Sequence, residues 1–248
     1  MRIVQFTDLH LFADPTADLY GAVPETNFHK VWQRIQQLDP LPERLFITGD
    51  LTHDDSAVAY SRIHDAVNEF GVPTYWIPGN HDDRQVMAQQ LRGCLASDRC
   101  ADLGAWRLVL LDSQLTGEIP GELAADQLTF LETSLARCAA GGSPTLIALH
   151  HPPFRLGSKW IDDYRLQNET AFWGIVDKYD CVRGVVCGHV HQTSDSHRNG
   201  VRLLTTPATA VQFSAGTDEP EVDVTAPSGF RVFDLDDDGG WRTEVVTV

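Results

Sequence analysis

The sequence has little positive charge, few cysteines and no long apolar run, and each shortage removes a class of protein. Nineteen Lys and Arg stand against 35 Asp and Glu, a formal net charge of −16 over 248 residues. No basic stripe gathers the cations, so neither a nucleic-acid track nor attraction to an anionic membrane is expected. No stretch reaches the roughly 18 consecutive apolar residues of a membrane helix. The N-terminus enters an apolar run at Ile3 without the charged segment and long apolar core of a secretory signal. The five cysteines, Cys94, Cys100, Cys138, Cys181 and Cys187, are odd in number and form no C-x-x-C pair. A disulfide framework and a zinc ribbon are therefore not expected, and the thiols read as reduced. These absences point to a cytoplasmic protein with no nucleic-acid or membrane partner. Also missing are the Gly-x-x-x-x-Gly-Lys loop that cradles nucleotide phosphates and the G-x-S-x-G elbow of a serine nucleophile.

What is present is an ordinary globular balance of 42% apolar and 22% charged residues, which excludes disorder and coiled coil for the chain as a whole. Short apolar runs recur at Ile3–Thr7, Leu45–Thr48, Thr74–Ile77, Trp106–Leu111, Thr145–Leu149 and Gly184–Cys187, and they read as buried strands. Between them, Phe28, Val31, Trp32, Ile35 and Leu38 follow helical spacing. So do Ala59, Ile63, Ala66, Val67 and Phe70, which Gly71 would cap, and Leu128, Leu131, Leu135 and Cys138. Past Gly200 the helices stop. Val201–Thr205, Ala210–Phe213, Gly229–Leu235 and Arg242–Val248 read as strands, Gly216–Ser228 as a loop, and Asp236–Gly240 as a hairpin turn. The expectation is an α/β protein of one domain, residues 1–248, built on two packed sheets.

The informative residues stand where strands end. Asp8 and His10 follow the first run, Gly49-Asp50 the second, and Gly79-Asn80-His81-Asp82 the third. His150-His151 and Gly188-His189-Val190-His191 follow the fifth and sixth. In α/β sheets the loops at the carboxyl ends of the strands form the ligand crevice, so five exits deliver Asp, His and Asn to one rim. Each piece alone is commonplace, but the ordered set is not. Carboxylate, imidazole and amide oxygen without thiolate suit divalent ions such as Mn, Fe or Zn. The donors outnumber the needs of one ion, and two ions about 3.5–4 Å apart are the natural use.

This set resembles the calcineurin-like metallophosphoesterase superfamily, whose D-x-H, G-D, G-N-H-[D/E], H and G-H-x-H elements all occur between residues 8 and 191. Within it the chain is similar to bacterial class III cyclic-nucleotide phosphodiesterases. The similar stretches are Thr7-Asp8-Leu9-His10-Leu11-Phe12-Ala13-Asp14, Gly49-Asp50-Leu51-Thr52, Gly79-Asn80-His81-Asp82 and the later Thr206-Pro207-Ala208-Thr209-Ala210-Val211-Gln212-Phe213. The resemblance implies a four-layer α/β/β/α sandwich of two mixed sheets flanked by helices. It implies one metal on Asp8, His10 and His191, a second on Asn80, His150 and His189, and Asp50 bridging both. It places His81, Asn80 and Asp50 in catalysis, and Asn80, His81, His191 and His10 against the substrate. The implied reaction is hydrolysis of 3′,5′-cyclic AMP to the 5′-monophosphate by a metal-activated hydroxide, with His81 assisting the leaving oxygen. A glycerophosphodiester or broad phosphodiesterase shares all five motifs. A scaffold that has lost catalysis would have shed some of them. Two divalent ions would also outweigh the carboxylates of Asp8 and Asp50 and make the mouth of an acidic protein locally positive. The partner implied is a small phosphodiester, met by a monomer or a homodimer.

Other polar residues carry plainer readings. His151 either approaches the site or supports it, and His53 could line the cleft. His29, His64 and His197 read as surface or packing residues. Asp82 and Asp83 read as stabilising the N-terminus of a helix. Trp160, Tyr164 and Phe213 either form an aromatic face for a base or pack.

Overall fold

The computed structural model describes residues 1–91 and 99–248; the remaining stretch, which includes Cys94, lies outside the described residues. The first half runs β1 (Arg2–Phe6), α1 (Pro24–Gln36), β2 (Arg44–Thr48), α2 (Ala57–Phe70), β3 (Thr74–Ile77) and α3 (Arg84–Gln90). It is followed by β4 (Cys100–Leu103), β5 (Trp106–Leu111), α4 (Ala125–Ala140), β6 (Thr145–Leu149), α5 (Lys159–Asp163), α6 (Glu169–Val176) and β7 (Val182–Cys187). The last stretch holds β8 (Ser194–Arg198), β9 (Val201–Thr205), β10 (Gln212–Phe213), β11 (Val222–Asp223), β12 (Gly229–Leu235) and β13 (Trp241–Thr247).

One mixed sheet has the order β13-β12-β1-β2-β3 and the other β4-β5-β6-β7-β9-β8; β10 and β11 form a short ribbon. Alternation along each strand sorts the side chains into three apolar layers. In β2, Leu45 and Ile47 face α1 and α2, where Phe28, Trp32, Ile35, Tyr60 and Ile63 meet them. Phe46, between them in sequence, points into the layer shared by the two sheets with Ile3, Trp106, Leu146, Val186 and Phe233. In β6, Ile147 and Leu149 face Leu131, Leu135 and Phe172 of α4 and α6. Helix, sheet, sheet and helix thus stack as four layers, the architecture that the resemblance implies.

The parallel strands end level. Phe6 pairs with Ile47 and Thr48 with Ile77 in one sheet; Leu111 pairs with Leu149, Leu149 with Cys187 and Cys187 with Thr205 in the other. A polar seam ties the sheets together near that rim. Gln5 Nε2 donates to Thr48 Oγ1 at 2.7 Å and to the Cys187 carbonyl at 3.3 Å. The buried guanidinium of Arg231 donates to the Thr205 carbonyl at 2.8 Å and to Thr206 Oγ1 at 3.3 Å.

Helix ends and turns follow local chemistry. Gly71 takes φ +80° and its N–H reaches the Val67 carbonyl, and Asp236 and Gly240 close the β12–β13 hairpin. Three details differ from the sequence reading. The strand expected at Ala210–Phe213 shrinks to Gln212–Phe213, and its partner, Val222–Asp223, lies inside the expected loop. The short strand β4 and helices α5 and α6 were not anticipated. Nor was β8, whose polar sequence suits an edge strand with water on one side; Asn199 (φ +49°) and Gly200 (φ +83°) turn it into β9. Among the described residues no helix is long and apolar enough to cross a membrane.

Candidate metal centre

Three of the five strand exits, those after β1, β2 and β7, reach the common rim with a strained backbone. Asp8, His10, Asp50, His189 and His191 all have φ between +47° and +71°. This left-handed region is uncommon for residues with a Cβ, and backbone strain of that kind costs of order 1–3 kcal/mol per residue. Hydrogen bonds between the loops hold it. The Asp8 N–H donates to the Gly49 carbonyl and the His10 N–H to the Asp50 carbonyl, both at 3.0 Å. The His189 N–H donates to the Asp8 carboxylate at 3.1 Å, and the His81 N–H to Asp50 Oδ1 at 2.9 Å. Each carboxylate therefore also positions a loop from another part of the chain.

The motif glycines are required by closeness. A Cβ on Gly79 would lie 2.1 Å from Asp50 Oδ1, and one on Gly188 would lie 2.2 Å from Thr7 Oγ1 and 2.9 Å from Asp8 Oδ2. At Gly49, which also has φ +97°, a Cβ would lie 2.4 Å from His150 Nδ1. Backbone packs directly against the donors, leaving no room for a side chain.

The carboxylates and imidazoles assigned to metal, Asp8, His10, Asp50, His150, His189 and His191, come together and are buried, while Asn80 and His81 are half-buried. His10 Nε2 lies 3.1 Å from His191 Nε2, and His191 Nε2 lies 3.4 Å from Asp8 Oδ1. On the other side, His150 Nε2 lies 3.3 Å from Asn80 Oδ1. Asp50 Oδ2 stands between the groups, 3.6 Å from His10 Nε2 and 3.4 Å from His150 Nε2. Asp8, His10 and His191 form one compact donor cluster; Asp8, Asp50 and His150 form another; His150 and His189, with His151, form a third.

The donor chemistry fits divalent ions. His150 Nδ1 sits 2.6 Å from the Thr48 carbonyl and His191 Nδ1 2.7 Å from the Val211 carbonyl. A carbonyl only accepts, so each Nδ1 carries a proton and each Nε2 faces the cluster as the ligand atom. His189 Nε2 is buried with no hydrogen-bond partner, as a ligand atom waiting for a cation would be. Burial, reinforced by the neighbouring imidazoles, holds His10 and His189 well below the usual imidazole range, in the neutral form a metal needs. Burial alone would raise Asp50, but His150, His10 and His81 outweigh it and hold the carboxyl well below its ordinary value. Burial opposes charge on His150 too, yet the carboxylates of Asp50 and Asp8 and the Thr48 carbonyl push it up to about 9. Metal at Nε2 would displace that proton.

Histidines with open readings are now placed. His151 supports the site from behind. Its Nδ1 lies 2.8 Å from Ser113 Oγ and its Nε2 3.0 Å from the Ile119 carbonyl, while its ring packs 4.6 Å from that of His189. His53 lines the cleft, stacked 4.8 Å from His81 with Nδ1 3.3 Å from His10 Nδ1. His29 is exposed beside Glu25, His197 is exposed on edge strand β8, and His64 pairs with Asp65. Asp83 caps α3 as expected, accepting the Gln85 and Val86 N–H groups. Asp82 does not: its buried carboxylate turns inward and accepts from the N–H groups of Leu51, Thr52 and Gly79 and from Tyr60 Oη.

Five of the donors, His10, Asp50, Asn80, His189 and His191, line a cavity of about 290 Å³. Its walls include Trp160, Tyr164 and Phe213, together with Tyr20 and Ile119, which the sequence reading missed. Trp160 and His191 both hold their rings 5.0 Å from that of Phe213, and Tyr20 lies 6.1 Å from it. Tyr20 has φ +53° ahead of Gly21; that turn, rather than any strand exit, brings it to the cavity.

The chain is similar to known proteins. The cyclic AMP phosphodiesterases CpdA of Pseudomonas aeruginosa and Escherichia coli K12 are 36% and 37% identical to the chain, covering 99% of it and 89% of their own length. A 3′,5′-cyclic-nucleotide phosphodiesterase of Nostoc is 35% identical, covering 100% of this chain and 92% of its own. A dimetal phosphatase from Danio rerio superposes with a TM-score of 0.69 at 14% identity, over 94% of this chain and 91% of that one, which is a likeness of fold. Residues 1–193 match the family described as calcineurin-like phosphoesterase, so the interval carrying the whole donor set is also the interval that defines the family. The chain belongs to the calcineurin-like phosphoesterases and is a phosphodiesterase hydrolase.

Proposed function

We propose that this protein hydrolyses 3′,5′-cyclic AMP to the 5′-monophosphate with the help of two divalent ions. The observation that carries the reading is the place of Asp50: one carboxylate oxygen stands within 3.6 Å of a histidine from each of two donor groups. Asp8, His10 and His191 would hold one ion, Asn80, His150 and His189 the other, and Asp50 both. When bound, Mn, Fe or Zn ions supply Lewis-acid charge to the phosphoryl oxygens and acidify an attacking water. The near full-length likeness to relatives named as cyclic-nucleotide phosphodiesterases supports the substrate class.

The protein's own groups do the rest. The His81 N–H is fixed on Asp50 Oδ1 at 2.9 Å, and its ring sits edge-on to His10 at 4.9 Å and stacked on His53. That pose puts an imidazole at the cavity wall, where it would donate a hydrogen bond or a proton to the departing 3′-oxygen. Asn80, His10 and His191 would lie against the phosphate, and Trp160, Phe213 and Tyr20 would take the base. Residues 1–248 act on this reading as one catalytic domain, in the cytoplasm, as a monomer or homodimer, on a small diffusible diester.

The test is a substrate panel on metal-loaded protein: cyclic AMP, cyclic GMP, 2′,3′-cyclic nucleotides, glycerophosphodiesters and an aryl diester. Cyclic AMP turnover is expected. Strong turnover of glycerophosphodiesters with none of cyclic AMP would overturn the reading. An Asp50→Ala variant is expected to lose bound metal and activity together; if it keeps two ions and full activity, the metal assignment is wrong.

A further inference from the structure

His151 is fully buried between the metal donors and the loop that joins β5 to α4. On one side its ring packs 4.8 Å from that of His150 and 4.6 Å from that of His189. On the other it meets Gly121, where a Cβ would lie 2.3 Å from His151 Nδ1. The loop backbone therefore rests directly against the imidazole. The loop is closed at its base by the Glu122 N–H, which donates to the Ser113 carbonyl at 2.9 Å, and the Gln167 N–H donates to the Gly121 carbonyl at 2.7 Å. Between these ties Ile119 is 48% exposed and lines the cavity beside the metal donors.

Both ring nitrogens of His151 are committed to this loop. The Ile119 carbonyl only accepts, so Nε2–H donates to it at 3.0 Å. In the neutral ring Nδ1 then accepts the Ser113 hydroxyl at 2.8 Å, and the His151 backbone N–H donates to Ser113 Oγ at 3.3 Å. No ring nitrogen is left for an ion, so His151 lies among the metal donors without being one of them. Among the described residues no other hydrogen bond holds the backbone of Ile119.

We propose that His151 is a positioning residue that fixes the Ile119 wall of the cavity against the metal histidines, and so sets how tightly the apolar part of the diester is held. The proposal rests on reading this cavity as the substrate site. Trp160 and Phe213 on the cavity wall pack on each other, and Phe213 packs on His191. Ile119 instead sits on a loop outside the helices and strands, and one imidazole in contact with both the loop and the metal histidines carries its position. Without that anchor the wall has to be ordered when substrate binds, which weakens binding. The loss falls on binding rather than on the step at phosphorus, because the His151 nitrogens face the loop and not the metals.

The experiment uses the full chain loaded with metal, with KM, kcat and bound metal measured for cyclic AMP and for an aryl diester in parallel. His151→Phe keeps a ring against His189 and Gly121 and removes both hydrogen bonds. It is expected to raise KM roughly 3- to 10-fold, the effect of about one lost neutral hydrogen bond, with kcat and bound metal little changed. His151→Gln, whose amide can still donate to the Ile119 carbonyl, should restore much of the KM. Ile119→Ala should raise KM by a similar factor. The double variant of His151→Phe with Ile119→Ala should be no worse than the worse single one, since both act through one contact. Ser113→Ala leaves the ring in place and should raise KM in the same direction; it completes the same cycle with Ile119→Ala if His151→Phe does not fold. A KM shift on the aryl diester with cyclic AMP inert would support the wall and count against the cyclic AMP reading. Unchanged KM in the folded variants, KM effects that multiply in the double variant, or loss of metal and kcat at unchanged KM would overturn the proposal.

Discussion

The carboxylate of Asp82 accepts the backbone N–H of Leu51 at 3.0 Å, binding the turn that carries Asp50 to the turn that carries Asn80 and His81. The Thr52 and Gly79 N–H groups and the Tyr60 hydroxyl donate to the same carboxylate. Burial and the neighbouring Asp50 charge push its carboxyl up to about 7, against those four donors. Asp82→Asn keeps one acceptor oxygen and misplaces a donor, so a loss of about 1–3 kcal/mol in stability is expected. Asp82→Ala should cost more, and bound metal should fall because both turns are released. Thermal melts and elemental analysis check this. Unchanged melting and full metal content would show that the turns hold without it.

Much of this site was legible in the sequence because its chemistry is local. Each donor stands one to four residues past an apolar run, and the level ends of parallel strands turn that pattern into one rim. The layers were legible for a similar reason, since alternation in Leu45, Phe46 and Ile47 already sorts side chains to opposite faces. What stayed hidden depends on contacts between distant segments. Nothing near Asp82 in the chain reveals that Leu51 and Tyr60 will face it, so a helix cap was the natural reading. Tyr20 reaches the cavity through a left-handed turn rather than a strand exit. β8 carries no apolar signal, although its Asn199-Gly200 turn is a strong hairpin mark.

The closeness of Gly79 to Asp50 gives a sharper test than removal of a ligand. A methyl at position 79 would lie 2.1 Å from Asp50 Oδ1 and 2.5 Å from the Asp50 backbone nitrogen. One contact is with backbone, so a rotamer change cannot relieve it. Gly79→Ala should displace Asp50 and reduce bound metal and activity by about tenfold or more, an estimate for disturbing the proposed bridging ligand and its support. Gly174→Ala, where a Cβ meets nothing within 4 Å, is the control and should keep both. Wild-type metal content in Gly79→Ala would refute the packing argument.

Acid should weaken the fold partly through surface ion pairs. Asp234 accepts two hydrogen bonds from Arg2, at 2.8 and 2.9 Å, across the β1–β12 pairing. Those bonds, with the Arg2 charge and against a smaller burial effect, hold its carboxyl below the ordinary 3.8. The folded carboxyl titrates lower than the unfolded one, so the pair stabilises above about pH 4 and fades as pH falls through the folded value. Asp177 and Asp195, paired with Arg198 and Arg202, shift in the same direction. Asp234→Asn should therefore melt about 1–3 °C lower than wild type at pH 7, with the gap closing below pH 4. A gap that persists unchanged at pH 3 would show that the carboxylate's charge is not the cause.

Phe213 connects the metal rim to the aromatic wall, with its ring 5.0 Å from both His191 and Trp160. If the wall takes the base, Phe213→Ala removes contact area worth about 1–2 kcal/mol, which is a rise of roughly 5- to 30-fold in KM for cyclic AMP. Because the hydrogen bond from His191 Nδ1 to the Val211 carbonyl does not pass through the Phe213 side chain, kcat and bound metal should change little. A ribose 3′,5′-cyclic phosphate without a base separates the alternatives. Its KM should hardly move if Phe213 serves the base. It should rise in parallel with that of cyclic AMP, accompanied by loss of metal, if the ring instead props His191.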